Sequence, residues 1–277
     1  MSVLVIGAGN MGLAYAKALV KSDFLNQTNL MISDTNPEKI EELKQISRFD
    51  VYDDLDECME KADILFIAVK PYHAEQLMAD LKPLMKKDQL VISIMAGVTI
   101  QSMQEGLGIR KVVRAMPNLP AQVGKGLTSF TASDEVSRLE LSTVKSLLDT
   151  TGTSVHLDTE NDIDASTGIS GSGPAYVFYF MQSMMEAAQK MGFSDHDSKV
   201  LVAQTFEGAI ELFNQSDLSP KGWMNRVASK GGTTQAALDS MEDNNIRNLI
   251  QEAAYAAFNR AVELGKESNL ESAAAEK

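Results

Sequence analysis

Gly7, Gly9 and Gly12 stand at the spacing G-x-G-x-x-G, directly after the apolar run VLVI and at the opening of the helical pattern MGLAYAKALV. In that context the residue types answer to a pyrophosphate. The first glycine permits a tight turn and the second lets the backbone approach the anion. The third lets helix and strand pack closely, while the helix N-terminus at Asn10 and Met11 faces the phosphates. The chemistry implied is dinucleotide binding. Asp34 ends the next apolar run, where a carboxylate accepts hydrogen bonds from an adenosine ribose and repels a 2′-phosphate, so NADH is favoured over NADPH. The alternative is that Asp34 only caps the turn before Asn36-Pro37, which leaves Thr35, Asn36 and Lys39 to hold a phosphate.

Ala68-Val69-Lys70-Pro71 and Met95-Ala96-Gly97 follow later apolar runs and fall on the same sheet edge as the glycine loop, the edge where open α/β sheets bind ligands. Pro71 fixes the backbone as it leaves the strand, and Ala96-Gly97 leave room for a flat ring. Lys70 reads equally as a cofactor contact or a solvated lysine. Asn118, in MPNLPAQVGKG, reads equally as part of a structural loop or as a wall near a nicotinamide. In KGGTTQAAL, residues 230 to 238, the glycines free the backbone to curl, so that the amides of Gly232, Thr233 and Thr234 point one way at a helix N-terminus. That is a nest for a carboxylate; the alternative is an ordinary N-cap by Thr233 or Thr234. A chain of formal charge −13 needs such local dipoles to hold a small anion, because its long-range field opposes binding.

These residues require a scaffold, and the chain changes character near residue 160. Before it, short apolar runs (3 to 9, 30 to 34, 64 to 69, 90 to 95, 111 to 116) alternate with helical patterns, which implies a parallel sheet covered on both faces. GLTSFTAS and TSVHLD extend that sheet to one edge. After it the pattern is helical throughout. Pro174 starts a helix that Gly192 ends, Ser194 with Asp197 resembles a capping box, and Ser219 precedes Pro220 at another helix start. The expected fold is therefore α/β: an N-terminal Rossmann-type doubly wound sheet in residues 1–160, followed by an all-helical dimerisation domain in 161–277. The helix from Pro174 is apolar nearly all round, yet Gln182, Glu186, Gln189 and Lys190 argue against a membrane span, so a second copy of the chain is expected to bury it. Ala253, Ala254, Ala257 and Ala261 allow close helix approach, and the last dozen residues read as a frayed tail.

Charge and composition exclude other classes. The acidic balance and a pI near 4.7, with no basic run, set nucleic acid and anionic membranes aside as partners. The single Cys58 and the scattered His73, His156 and His196 indicate neither a disulfide nor a metal site. With no secretory pattern and no long apolar stretch, a soluble cytoplasmic protein is expected.

Taken together, SGSGPAY and SKGGTTQAAL behind GAGNMG and AVKP resemble the pyrroline-5-carboxylate reductase family, over about residues 1 to 265. The resemblance implies NAD(P)H-dependent reduction of the cyclic imine 1-pyrroline-5-carboxylate to L-proline, the last step of proline biosynthesis. It further implies a helical domain that dimerises by interleaving, often in a ring of five dimers. On the same footing the substrate carboxylate meets the backbone of Gly231 to Thr234, and the Thr234 hydroxyl bonds the ring nitrogen. Glu160, Asn118, Ala96 and Ser172 fall near the family's active site. Three positions depart from the family's common pattern: Lys230 replaces a proline, Arg226 a neutral residue, and Asp34 the small polar or basic residues that accompany NADPH. A β-hydroxyacid dehydrogenase has a similar glycine loop but carries a catalytic lysine on the helix after a second glycine motif, and GSGPAYVFYFMQ offers none. A non-catalytic dinucleotide sensor needs no substrate nest.

Overall fold

The computed structural model describes residues 1–25 and 29–275. Chain order is β1 (Val3–Ile6), α1 (Asn10–Lys21), β2 (Leu30–Ser33), α2 (Pro37–Lys44), β3 (Phe49–Tyr52), α3 (Leu55–Met59), β4 (Ile64–Ile67), α4 (Ala74–Leu81), β5 (Leu90–Ser93), α5 (Ile100–Leu107) and β6 (Val112–Pro117). Then come β7 (Gly126–Ala132), α6 (Arg138–Leu148), β8 (Gly152–His156), α7 (Glu160–Ser166), α8 (Gly173–Lys190), α9 (Asp195–Asn214), α10 (Pro220–Val227), α11 (Thr233–Asp243) and α12 (Ile246–Ala275). The tail expected to fray is helical through Ala275; Glu276 and Lys277 lie outside the described residues.

Among the described residues eight strands form one sheet in the order β3-β2-β1-β4-β5-β6-β7-β8. All pairings are parallel except β6 with β7, which run antiparallel and so depart from the all-parallel expectation. β1, β2, β4 and β5 are buried at every position, because helices cover both faces. Alternation along each strand divides the core in two. Val3, Val5, Ile32, Phe66 and Ile92 pack with Tyr15, Leu19 and Leu147 on one face. Leu4, Ile6, Leu65, Ile67 and Val91 pack with Leu81, Met103 and Leu107 on the other. Burying each such aliphatic side chain contributes about 1.5–3 kcal/mol. β3 is not anticipated by the sequence: it is a four-residue edge strand with exposed Asp50, and only pairing with β2 makes it one. Cys58 lies in the second face's core, where burial pushes its thiol up to about 11, so it is inert at neutral pH.

Packing divides the chain into two compact units, Met1–Ser172 with Ala256–Lys277, and Gly173–Tyr255. The division by packing therefore falls later than residue 160, since α7 and the turn after it pack on the sheet, and the end of α12 returns to the first unit. In the second unit Ser194 and Ser219 cap α9 and α10 as their types predict. No residue of α8 is buried within the chain, and Phe178 and Tyr179 are 58% and 76% exposed. No helix of the described residues is long and apolar enough to cross a membrane, and none of their His, Cys, Asp and Glu residues group as a metal site.

Candidate active site

The glycine loop leaves β1 where the sheet order reverses, with β2 on one side and β4 on the other. Each glycine answers to a different constraint. Gly7 has φ +96°, and a Cβ there would meet the Ala68 backbone at 3.0 Å. Gly12 would place a Cβ 2.0 Å from the Gly7 carbonyl oxygen. Gly9 has nothing within 4 Å of its Cβ position, and as N-cap of α1 it offers no side chain to the first amides. Those amides begin at Asn10 and Met11 and have no intrahelical partner, which suits a pyrophosphate.

Asp34 both caps a turn and holds the loop. Its Oδ1 accepts from the Asn36 N–H at 2.9 Å and its Oδ2 accepts from the Ala8 N–H at 2.7 Å. The carboxylate is thereby fixed beside the glycine loop. Asn36 is committed elsewhere: its Oδ1 accepts from Glu38 and Lys39 amides at 2.9 and 3.4 Å and caps α2. These residues fit a dinucleotide held at the glycine loop.

Ala68 and Val69 are half-buried at the end of β4, exposed Lys70 caps a short 3-10 turn, and Pro71 begins it. Gly97 has φ +77°, and a Cβ on it would approach the Leu264 carbonyl of α12 at 3.4 Å. The α12 backbone thus lies at van der Waals distance from Gly97 on one side, and Ala96 is the exposed member of the pair. A cavity of about 330 Å³ opens there, walled by Ala96, Gly97, Arg114, Asp164, Thr167, Ser172 and the α12 face from Ala257 to Leu264. Asn118 serves the scaffold: its Oδ1 accepts from the Leu127 N–H at 2.8 Å and its Nδ2 donates to the Ser170 carbonyl at 3.1 Å. Ser172 closes a five-residue π-turn, Thr167–Gly171, by donating its N–H to the Thr167 carbonyl at 2.9 Å. Such turns recur at functional sites.

Glu160, the first residue of α7, accepts from the Ile100 N–H at 3.0 Å and from Arg114 at 3.1 Å. Arg114 also donates to Asp164 at 2.6 Å and is only 3% exposed. Sequence reasoning missed Arg114 and Asp164. The available signal was a charge inside the apolar run KVVRAM, because a guanidinium buried in a strand demands carboxylate partners.

The second unit carries the glycine-threonine stretch. Gly231, with φ +73°, is third in a four-residue turn closed by the Gly232 N–H donating to the Ser229 carbonyl at 2.9 Å. This is the pattern of a type II turn, and Lys230 takes the second position, where proline is common. Gly232 is the N-cap of α11, with no side-chain cap. Two corrections follow. The Gly232 amide is already spent, and neither Thr233 nor Thr234 is an N-cap; they are the first residues of α11, with amides that have no intrahelical partner. The Arg226 guanidinium lies over the Trp223 ring, 5.4 Å from its centroid.

Residues 160–264 match the family model described as pyrroline-5-carboxylate reductase dimerisation, and residues 2–97 match that described as NADP oxidoreductase coenzyme F420-dependent. Pyrroline-5-carboxylate reductase 2 of Bacillus subtilis is 34% identical over 261 residues, covering 94% of this chain and 93% of that protein. The chain belongs to the pyrroline-5-carboxylate reductase family. The Escherichia coli pyrroline-5-carboxylate reductase is 32% identical over 262 residues, covering 94% of this chain and 97% of its own length. A pyrroline-5-carboxylate reductase structure from Coxiella burnetii superposes with a TM-score of 0.89 at 30% identity, covering 95% of this chain and 98% of that one. The Plasmodium falciparum pyrroline carboxylate reductase with NADP bound gives 0.84 at 30% identity, with 96% and 98% covered. As a member of this family the chain is a nicotinamide-dependent oxidoreductase that carries the family's dimerisation region.

Proposed function

We propose that this chain reduces 1-pyrroline-5-carboxylate to L-proline, and that NADH serves it at least as well as NADPH. The observation that carries the reading is the Ser229–Gly232 turn leading into a first turn of α11 that no side chain caps. The substrate carboxylate docks on the amides of Thr233 and Thr234, where a helix N-terminus favours an anion. Gly7, Gly9, Asn10, Met11, Gly12 and Asp34 hold the dinucleotide, with Ala68 to Pro71, Ala96 and Gly97 on the same edge; when bound, its reduced nicotinamide supplies the hydride. The imine enters protonated from solution, so addition of hydride to the C=N carbon leaves a neutral ring amine. The Thr234 hydroxyl bonds that nitrogen and passes it a proton from water, which yields the ammonium of proline. No other general acid is required.

The preference for NADH rests on the fixed Asp34 carboxylate and on Asn36 being committed to α2. The assembly is a homodimer that covers the exposed apolar residues of α8 and α9 and the start of α12, with a ring of dimers as the larger form. A cytoplasmic location, expected from the lack of a secretory pattern, and a lack of nucleic-acid partners, expected from charge, belong to the same reading. The test is consumption of NADH or NADPH in equal stoichiometry with added pyrroline-5-carboxylate, with 3-hydroxyacids and the oxidised dinucleotides NAD+ or NADP+ as controls. Turnover of 3-hydroxyacids, or none with the imine, refutes it.

A further inference from the structure

We propose that Arg114 is a positioning residue of the hydride-transfer site, acting on two walls of the cavity through Glu160 and Asp164; the proposal rests on the reductase reading above. Arg114 sits in β6 between Val113 and Ala115, both fully buried, and is itself 3% exposed. A guanidinium there is tolerated only with partners of opposite charge. Both come from one helix: Glu160 and Asp164 are four residues apart on α7, so one face presents two carboxylates to one planar fork.

The bonds continue beyond the ion pairs. The Glu160 oxygen that meets Arg114 also accepts from the Ile100 N–H, and Ile100 opens α5 immediately after the Ala96 to Thr99 loop. At its other end α7 runs into the π-turn that Ser172 closes. One side chain therefore joins β6, the loop carrying Ala96 and Gly97, and the turn carrying Thr167 and Ser172, and all three segments line the 330 Å³ cavity. The Nε–H of Arg114 is buried and has no hydrogen-bond partner among the described residues, so the guanidinium is committed only through its two terminal nitrogens. Stability alone does not call for this arrangement, because well-packed apolar residues replace a buried ion cluster at no cost in many proteins. What apolar side chains cannot supply is a directed link between a loop amide and a helix face.

Hydride transfer requires the reacting atoms to meet within a narrow distance, and a misplacement of about 1 Å lowers the rate about 100-fold. Arg114→Lys keeps the charge but loses the fork, so one carboxylate is released. In this variant kcat for pyrroline-5-carboxylate is expected to fall by about 10- to 100-fold, with the dinucleotide KM within about threefold of wild type, since the Gly7–Gly12 loop is untouched. The primary isotope effect on kcat with 4-deuterated dinucleotide should rise as the chemical step becomes limiting. Amide exchange, read without turnover, should quicken at Ile100 and Ser172 while β1 and β4 amides stay protected. Should Arg114→Lys fail to fold, the neutral triple variant Arg114→Met, Glu160→Gln, Asp164→Asn leaves no buried unpaired charge, and the same changes are expected in it. A folded variant with wild-type kcat, or an unchanged isotope effect, or unchanged exchange at Ile100, overturns the proposal. Wild-type protein that leaves pyrroline-5-carboxylate unreduced overturns the reductase reading instead, and the exchange measurement still decides the role of Arg114.

Discussion

Replacing Asp34 with Asn separates charge from anchoring, because Asn keeps a carbonyl oxygen for one of the two amides now held, those of Ala8 at 2.7 Å and Asn36 at 2.9 Å, and removes the negative charge. Loss of anchoring weakens NADH and NADPH alike, since both use the same glycine loop. The ratio of their catalytic efficiencies therefore isolates the charge. Two unit charges about 4 Å apart interact by about 1 kcal/mol in bulk water and about 4 kcal/mol at an effective dielectric near 20. A 2′-phosphate carries more than one charge and Asp34 is only partly buried, so a value of about 2 kcal/mol is appropriate, or about 30-fold in the ratio. The assay is kcat/KM for both dinucleotides with wild type, Asp34→Asn and Asp34→Ser, at about 0.05 M and about 0.5 M salt. Wild type should use NADH at least as well as NADPH, and both variants should move the ratio about 10- to 100-fold toward NADPH. Added salt should compress the difference, because the group is reached by solvent. A wild-type preference for NADPH above about tenfold, or a ratio that Asp34→Asn moves less than about twofold, defeats the reasoning.

Thr234→Ala should slow turnover by about 10- to 1000-fold, the scale of one positioned polar contact, with dinucleotide affinity nearly unchanged and Thr234→Ser retaining most activity; a folded Ala variant of wild-type efficiency in steady-state kinetics removes the hydroxyl from the mechanism. Gly12→Ala places a methyl 2.0 Å from the Gly7 carbonyl oxygen, so α1 must shift. Dinucleotide affinity by fluorescence titration should drop by about 100-fold or more, and unaltered affinity would show that the loop does not hold the pyrophosphate. In sedimentation at micromolar concentration the protein should be dimeric or larger, since α8 buries none of its residues within one chain; a stable, active monomer contradicts that assignment.

How far the site was legible before folding depended on the sequence distance over which each interaction acts. Gly7 to Gly12, the Ser194 and Ser219 caps and the Ser229–Gly232 turn close within a few residues, so residue type and spacing determine them. The apolar runs also declared a sheet covered on both faces, because only burial on both sides tolerates four consecutive apolar residues.

Contacts between distant segments were decided by the tertiary structure alone. Asp34 reaches the Ala8 amide from 26 positions away, Asn118 reaches the Ser170 carbonyl from 52, and Glu160 reaches the Ile100 amide from 60. No local pattern encodes such pairings, since each depends on which strands become neighbours and in which direction they run. β3 forms only because β2 offers it a ladder, and β7 reverses the sheet against β6. Arg114 shows the division within one residue: a charge inside an apolar run announced that partners were needed, but the sheet and α7 had to assemble before Glu160 and Asp164 could be those partners.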